Sequence, residues 1–157
     1  MMRLFRLFAA MLPLAFTACL STTEPTNVRI EDAVFAPSLG VDLSLSTKKP
    51  SGLWYRDITT GTGAILAVGD TARVYYTGSL ISGAQFDVRQ PPTFAPWPFQ
   101  IGDGSLIPGF DEGVRGMRVG GQRQLIIPPE LAYGSRGFGP IPGNAILVIV
   151  VDAVSAP

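Results

Sequence analysis

The last apolar segment of the chain constrains the fold most. Residues 145–154 read AILVIVVDAV, so apolar side chains occupy both sets of alternating positions. A strand with one covered face alternates apolar and polar residues, whereas a continuous apolar run is typical of a strand covered on both faces. We therefore predict that this segment is a central, fully covered strand.

Shorter segments before this run also predict strands. The 157 residues include 18 Gly and 14 Pro, which favours turns and short strands over long helices. Strands are predicted at residues 53–58, 97–101 and 122–127, and a return strand begins at Phe86 and Asp87. Residues 71–80 alternate, which predicts a half-buried strand with Ala72, Val74, Tyr76 and Leu80 on one face and Arg73, Tyr75, Thr77 and Ser79 on the other.

One short helix is predicted over residues 108–115. Ile107, Phe110, Val114 and Met117 recur at helical spacing, and Pro108 suits the first helical turn. PPELAYG, at residues 128–134, predicts a single turn that starts with prolines. The pattern as a whole indicates an α+β fold, in which a mainly antiparallel sheet curls over one short helix.

The first 18 residues are predicted to be a secretory signal peptide. Arg3 and Arg6 precede an apolar run that ends at Phe16, and small residues follow it. The run is short for a membrane span. Phe16-Thr17-Ala18-Cys19 resembles the lipobox of bacterial lipoproteins, with Phe in the place where Leu is usual.

This resemblance implies that Cys19 is lipidated and becomes the N-terminal residue of the exported protein. Leu20 follows the cysteine, and the absence of Asp there favours an outer-membrane lipoprotein that faces the periplasm. An ordinary cleaved signal with an incidental cysteine is the alternative, and the protein would then be periplasmic or secreted.

The rest of the chain divides into two parts. Residues 19–50 are predicted to be a tether and an N-terminal arm, because residues 27–50 mix apolar and polar side chains without a clean period. Residues 51–157 have the pattern of one compact domain. One hypothesis for the arm is that it docks a partner or a second copy of the chain.

The composition excludes several classes of function. Twelve basic and twelve acidic residues give a formal net charge of zero, so no basic field is available for nucleic acid. The chain has no histidine and one cysteine, which excludes Ser-His-Asp and Cys-His catalysis and a zinc site built on His and Cys. We predict neither a metal nor a cofactor.

Four segments, in this order and spacing, carry a family resemblance. They are VYYTG at 74–78, AQFD at 84–87, LIPGFDEGVRGMRVGG at 106–121 and IIPPELAYG at 126–134. Together with the closing strand they resemble the FKBP-type peptidyl-prolyl cis-trans isomerases, the macrolide-binding immunophilins. The resemblance covers residues 51–154. It implies a five- to six-stranded antiparallel sheet curved around one short helix, with a pocket between the helix and the concave face.

The resemblance also implies which residues build the pocket. Phe110 would be its floor, where the family usually has Trp. Leu106 and Ile107 would form the rim, and the backbone N–H of Ile107 would bind a substrate carbonyl. Residues 134–144 would overhang the pocket, with Ile141 in this loop. The implied walls are Tyr76, Phe86, Phe99 and Ile149, with Trp97 in a place commonly held by Phe.

Asp87, Tyr133, Tyr76 and Ile107 are the implied catalytic residues, with Asp87 at the pocket edge near both tyrosines. Taken singly, Tyr76 and Phe110 are more typical of core residues, and Asp87 is as typical of a turn as of a functional site. Only the joint pattern favours a pocket.

The resemblance implies a prolyl isomerase that acts on proline-containing polypeptides, and the signal pattern places it in the folding of exported proteins. Rotation about an Xaa-Pro bond breaks no bond and needs no nucleophile, so the absence of histidine is compatible with this function. Macrolides are a further ligand class that the resemblance implies. The alternative is a proline-binding module or holdase with little turnover, because Phe110 and Ile149 make the implied pocket wall smaller.

Overall fold

The structure, a computed structural model, describes residues 28–156. Its strands are β1 Thr47–Lys48, β2 Trp54–Thr59, β3 Thr71–Leu80, β4 Gln85–Arg89, β5 Trp97–Gln100, β6 Gln122–Ile127 and β7 Leu147–Ser155, and its helix is α1 Pro108–Val114. Short 3-10 turns occupy Ile30–Asp32, Pro37–Leu39, Leu43–Leu45 and Pro129–Leu131. The predicted signal peptide and Cys19 lie outside the described residues.

All seven strands belong to one antiparallel sheet. Its order is β1-β2-β6-β7-β3-β4, and β5 pairs with β3 beside β4. The prediction that the closing segment is a central strand is confirmed, because β7 lies between β6 and β3. Its concave face is buried from Leu147 to Ala153, whereas on the convex face Val148 is buried and Val154 is 39% exposed, so the predicted full cover is wrong at the end of the strand. The two-residue strand β1 extends the sheet beyond the five to six strands expected.

The helix α1 packs on the concave face of the sheet. Glycine at two of its positions lets it approach β6 closely: a Cβ at Gly109 would lie 2.3 Å from the side chain of Ile127, and one at Gly113 would lie 2.6 Å from that of Leu125. The predicted helix is confirmed, but it ends one residue earlier than expected because Arg115 is extended. Met117 reaches the core from the turn that follows.

The convex face of the sheet carries a second, smaller core, which the N-terminal arm covers. Ile30 of the arm joins Ile126 of β6, Val148 of β7 and Ile146 as its buried members. Partly buried apolar residues surround them: Ala33, Phe35, Leu39, Val41, Leu43, Trp54 and Ile81. The arm therefore packs on the sheet of its own chain.

This cover explains a departure from the expected pattern of β3. Alternation placed Ser79 on the polar face of a half-buried strand, yet Ser79 is only 5% exposed. It lines a small cavity between the arm and the convex face, together with Ser38 and Leu39. The arm and the predicted domain also share the sheet, because β1 pairs with β2 across the turn at residues 49–52.

Among residues 28–156, no helix is long and apolar enough to cross a membrane.

Candidate active site

A cavity with a volume of about 420 Å³ opens on the concave face. The strands β3, β4, β5 and β7 form its walls, and the start of α1 closes it from below. Twelve residues line it: Tyr76, Phe86, Asp87, Trp97, Ser105, Leu106, Ile107, Pro108, Phe110, Tyr133, Leu147 and Ile149. Nine of the eleven implied pocket residues are among them, which leaves out Phe99 and Ile141.

An aromatic cluster forms the floor and one wall. The Phe110 ring is 6.1 Å from that of Tyr76 and 6.4 Å from that of Trp97, measured between centroids. Phe99 packs against Trp97 and Phe110 at 5.5 and 5.7 Å, but it does not line the cavity. It supports the two lining rings from behind, which corrects its expected place in the wall.

The polar part of the site is a hydrogen bond between two neighbouring strands. The Tyr76 hydroxyl donates to Oδ2 of Asp87 at 2.7 Å. Asp87 lies opposite Gly78 in the β3–β4 ladder, and the absent side chain of Gly78 admits the Phe86 ring, since a Cβ there would lie 2.6 Å from it. The β3–β4 pair thus positions both the Phe86 ring and the Asp87 carboxylate at the cavity.

Both tyrosines at the cavity have a pKa above the ordinary value of tyrosine. Burial, and then the hydrogen bond to Asp87, raise the pKa of Tyr76 to about 12. Burial, and then the charge of Asp87, raise the pKa of Tyr133. Both phenols are therefore hydrogen-bond donors at neutral pH.

The rim at Ile107 offers a free backbone donor. Its carbonyl accepts hydrogen bonds from the N–H groups of Phe110 and Asp111 and so begins the helix, with Pro108 in the first turn. Its own N–H donates to no other group in the described part of the chain. Since Ile107 lines the cavity, this N–H is available to a bound carbonyl, as the resemblance implies.

The loop after Tyr133 is closed by its own hydrogen bonds. Phe138 and Ile141 exchange two backbone hydrogen bonds of 2.9 Å, and the N–H of Asn144 donates to Gly134. The Phe138 ring stacks on that of Tyr133 at 5.2 Å and remains 66% exposed. Ile141, which the resemblance placed in the overhanging loop, is buried in the main core and is not among the residues that line the cavity.

Sequence reasoning missed three lining residues: Ser105, Pro108 and Leu147. The sequence pattern could have predicted Leu147, because residues two apart on a strand share a face and Ile149 was already assigned to the wall. Ser105 lies in an irregular turn, where its N–H donates to Asp103, and no periodicity marks such a position.

Within residues 28–156, no group of three or more His, Cys, Asp or Glu side chains is placed to hold a metal ion.

Solved structures share this fold. FkpA from Escherichia coli superposes with a TM-score of 0.66 at 38% identity, over 71% of this chain and 51% of that one. The structure of AtFKBP13 superposes with a TM-score of 0.66 at 34% identity, over 71% of this chain and 98% of that one. The fold is therefore FKBP-like.

Sequence comparison identifies the family. A sequence model described as FKBP-type peptidyl-prolyl cis-trans isomerase matches residues 63–154. An FK506-binding protein from Streptomyces anulatus is 43% identical over 109 residues, which are 68% of this chain and 87% of that protein. The chain belongs to the FKBP-type peptidyl-prolyl cis-trans isomerase family.

Some similar proteins are much longer. The match covers 28% of an FK506-binding protein 4 from Mycosarcoma maydis and 24% of one from Gibberella zeae. The chain thus spans about a quarter of the length of these two relatives.

Proposed function

We propose that this chain is a peptidyl-prolyl cis-trans isomerase whose active site is the concave cavity. The observation that carries the proposal is the combination of an aromatic floor with a Tyr76–Asp87 hydrogen bond at one edge and a free Ile107 N–H at the rim. Family membership supports the same activity.

The chemistry that this cavity favours follows from the amide bond. Resonance sets a barrier of about 18–20 kcal/mol to rotation, and uncatalysed exchange takes tens of seconds or more. The twisted transition state has lost resonance, so its carbonyl oxygen carries less negative charge than that of the planar amide. A largely apolar cavity therefore disfavours the planar form more than the twisted one, and such differential binding accelerates rotation.

Each group then has a distinct task. Phe110 and Trp97 hold the proline ring, which leaves the preceding carbonyl free to turn. The Ile107 N–H binds a carbonyl of the substrate backbone. The hydroxyls of Tyr76 and Tyr133 and the carboxylate of Asp87 supply preorganised dipoles and charge at the edge where the amide twists.

The test is exchange spectroscopy by NMR on a Leu-Pro and a Phe-Pro peptide with the full chain. We expect acceleration over buffer that falls in Asp87→Ala and Tyr133→Phe. Asp42→Ala is the matched control, because Asp42 lies in the arm and caps a turn on the convex side. An absence of acceleration by the folded chain would refute the proposal. Peptide-induced shifts without acceleration would favour the proline-binding module instead.

We also propose that the cavity binds macrolides of the FK506 type. The names of similar proteins and an apolar cavity of about 420 Å³ support this. FK506 is expected to inhibit the acceleration competitively and to shift the resonances of Trp97 and Phe110. Unchanged resonances at saturating FK506 would exclude this ligand.

For the whole protein, we propose export, a lipid anchor at Cys19, and a role in the folding of exported proteins at the periplasmic side of the outer membrane. The support is the sequence pattern of Arg3, Arg6, the apolar run and the lipobox-like tetrapeptide. Mass spectrometry of the protein from a bacterial membrane fraction tests the anchor: wild type should carry a lipid on Cys19, and Cys19→Ser should leave the membrane fraction. An unmodified Cys19 would support the ordinary cleaved signal.

A further inference from the structure

The strand that carries Phe86 and Asp87 has one neighbour in the sheet. β4 is an edge strand that pairs with β3 alone. The ladder between the two strands changes register between Gly78 and Ser79, next to the pair Gly78–Asp87. A register shift disrupts the ladder locally, and here it leaves Phe86 without a partner between the pairs Gly78–Asp87 and Ser79–Gln85.

The N-terminal arm supplies a second attachment at the turn of this hairpin. The backbone N–H of Ala36 donates to the carbonyl of Ile81 at 2.8 Å. Ser38 and Ala36 also lie against Gly83, where an added Cβ would be 3.0 Å from Oγ of Ser38 and 3.3 Å from Cβ of Ala36. Ile81 itself packs in the convex core.

The arm is in turn fixed to the centre of the sheet. Nε2 of Gln124, a residue 1% exposed in β6, donates to the carbonyl of Leu39 at 2.7 Å. Nη2 of Arg56 in β2 donates to the carbonyl of Gly40 at 2.9 Å. The contact at Ala36 therefore connects the β3–β4 turn to strands on the far side of the sheet.

We propose that Ala36 is a positioning residue: its N–H anchors the β3–β4 turn from behind the sheet and so holds Phe86 and Asp87 at the cavity. Its effect on turnover rests on the isomerase function proposed above. The effect on the position of β4 does not depend on that function.

Ala36→Pro tests the anchor, because it removes the N–H at a compatible backbone position. Ala36 has φ −58° and ψ 135°, which suit proline and a residue that precedes Pro37. We expect the variant to fold, with shifted amide resonances for Phe86 and Asp87. The value of kcat/KM should fall roughly two- to ten-fold, the range of one net hydrogen bond. Ala36→Ser keeps the N–H and should match wild type in both readouts.

If Ala36→Pro does not fold, amide hydrogen exchange in the wild-type chain tests whether the Ala36 N–H is held by Ile81. The Ala36 amide should be protected to the same degree as that of Leu80, which donates to Ala84 within the hairpin. Unprotected exchange at Ala36, unchanged Phe86 and Asp87 resonances in a folded Ala36→Pro, or an equal loss in Ala36→Ser would overturn the proposal. If the wild-type chain does not accelerate exchange, the isomerase proposal is refuted. The resonance shifts and the amide exchange would still decide whether Ala36 anchors the β3–β4 turn.

Discussion

The two faces of the sheet differ: the concave face borders an open cavity, and the convex face packs against the N-terminal arm. On the concave face, Ile149 of β7 borders an open cavity with polar groups at its edge. On the convex face, the next residue back, Val148, is buried under the arm among aliphatic side chains. A pocket needs vacant volume and available dipoles, whereas a core gains stability from filled volume. The difference predicts that substitutions of side chains buried in the convex core chiefly lower stability, whereas substitutions of side chains that line the cavity chiefly lower catalysis.

The largest expected effect is on stability, from the convex face. Ile126 is 1% exposed, and Ile126→Ala should lower the free energy of unfolding by about 2–5 kcal/mol, because it removes buried methyl groups and leaves a cavity. Well below the melting temperature, kcat/KM should equal that of wild type. Ile58→Ala on the neighbouring strand is the control; Ile58 is 44% exposed, so its change should be within about 0.5 kcal/mol. Urea titration and peptide exchange measure the two quantities, and a large activity loss in folded Ile126→Ala would break the comparison.

The next effect is on catalysis, from the concave face. Tyr76→Phe removes the donor to Asp87, so the carboxylate loses the partner that orients it. We expect kcat/KM to fall roughly ten-fold, which corresponds to about 1.4 kcal/mol. Tyr75→Phe is the matched control, because adjacent strand residues point to opposite faces. Equal losses in the two variants would contradict an assignment of catalysis to the concave face.

A smaller effect is expected at the cavity mouth. Phe138→Ala removes the ring that stacks on Tyr133, so Tyr133 should lose part of its orientation. We expect KM for a Phe-Pro peptide to rise roughly three-fold, within the range that aromatic pairs contribute. Phe94→Ala, which removes another exposed ring that lies beside Arg89, should leave KM unchanged. Steady-state kinetics of both variants would show whether the stack matters.

The smallest effect is a pH dependence at the alkaline end. The folded-state pKa of Tyr76, about 12, lies above its ordinary value of 10. Its contribution to stability is therefore complete below pH 10 and is lost as the pH rises through about 12. The difference in tyrosinate absorbance between wild type and Tyr76→Phe should titrate with a midpoint near 12. A midpoint near 10 would mean that the phenol is neither buried nor bonded to Asp87.

Most of the main sheet and the helix were predictable because their signals are local. β6 has the predicted bounds, and α1 begins at the predicted Pro108. The arm was not predictable to the same degree, because its three 3-10 turns are too short to show a period. The burial of its apolar residues depends on the convex face that they cover, which the local sequence does not show.

The candidate site divides in the same way. The four segments identified Tyr76, Asp87, Phe110 and Tyr133, and the structure places all four at one cavity. They did not reveal that Phe99 supports its neighbours from behind or that Ile141 faces the core. Family position specifies where a residue lies along the backbone, whereas a side chain's contact with the cavity depends on the packing around it.

The sequence alone indicated that β7 gains from cover on both faces, since removing apolar surface from water is favourable. Only the tertiary structure decided what provides that cover: α1 and the aromatic cavity on one side and the arm on the other. The physical reason is that hydrophobic burial is non-directional. An apolar pattern records that a face is buried, and the choice of covering element rests on long-range contacts such as those of Ala36 with Ile81 and Leu39 with Gln124.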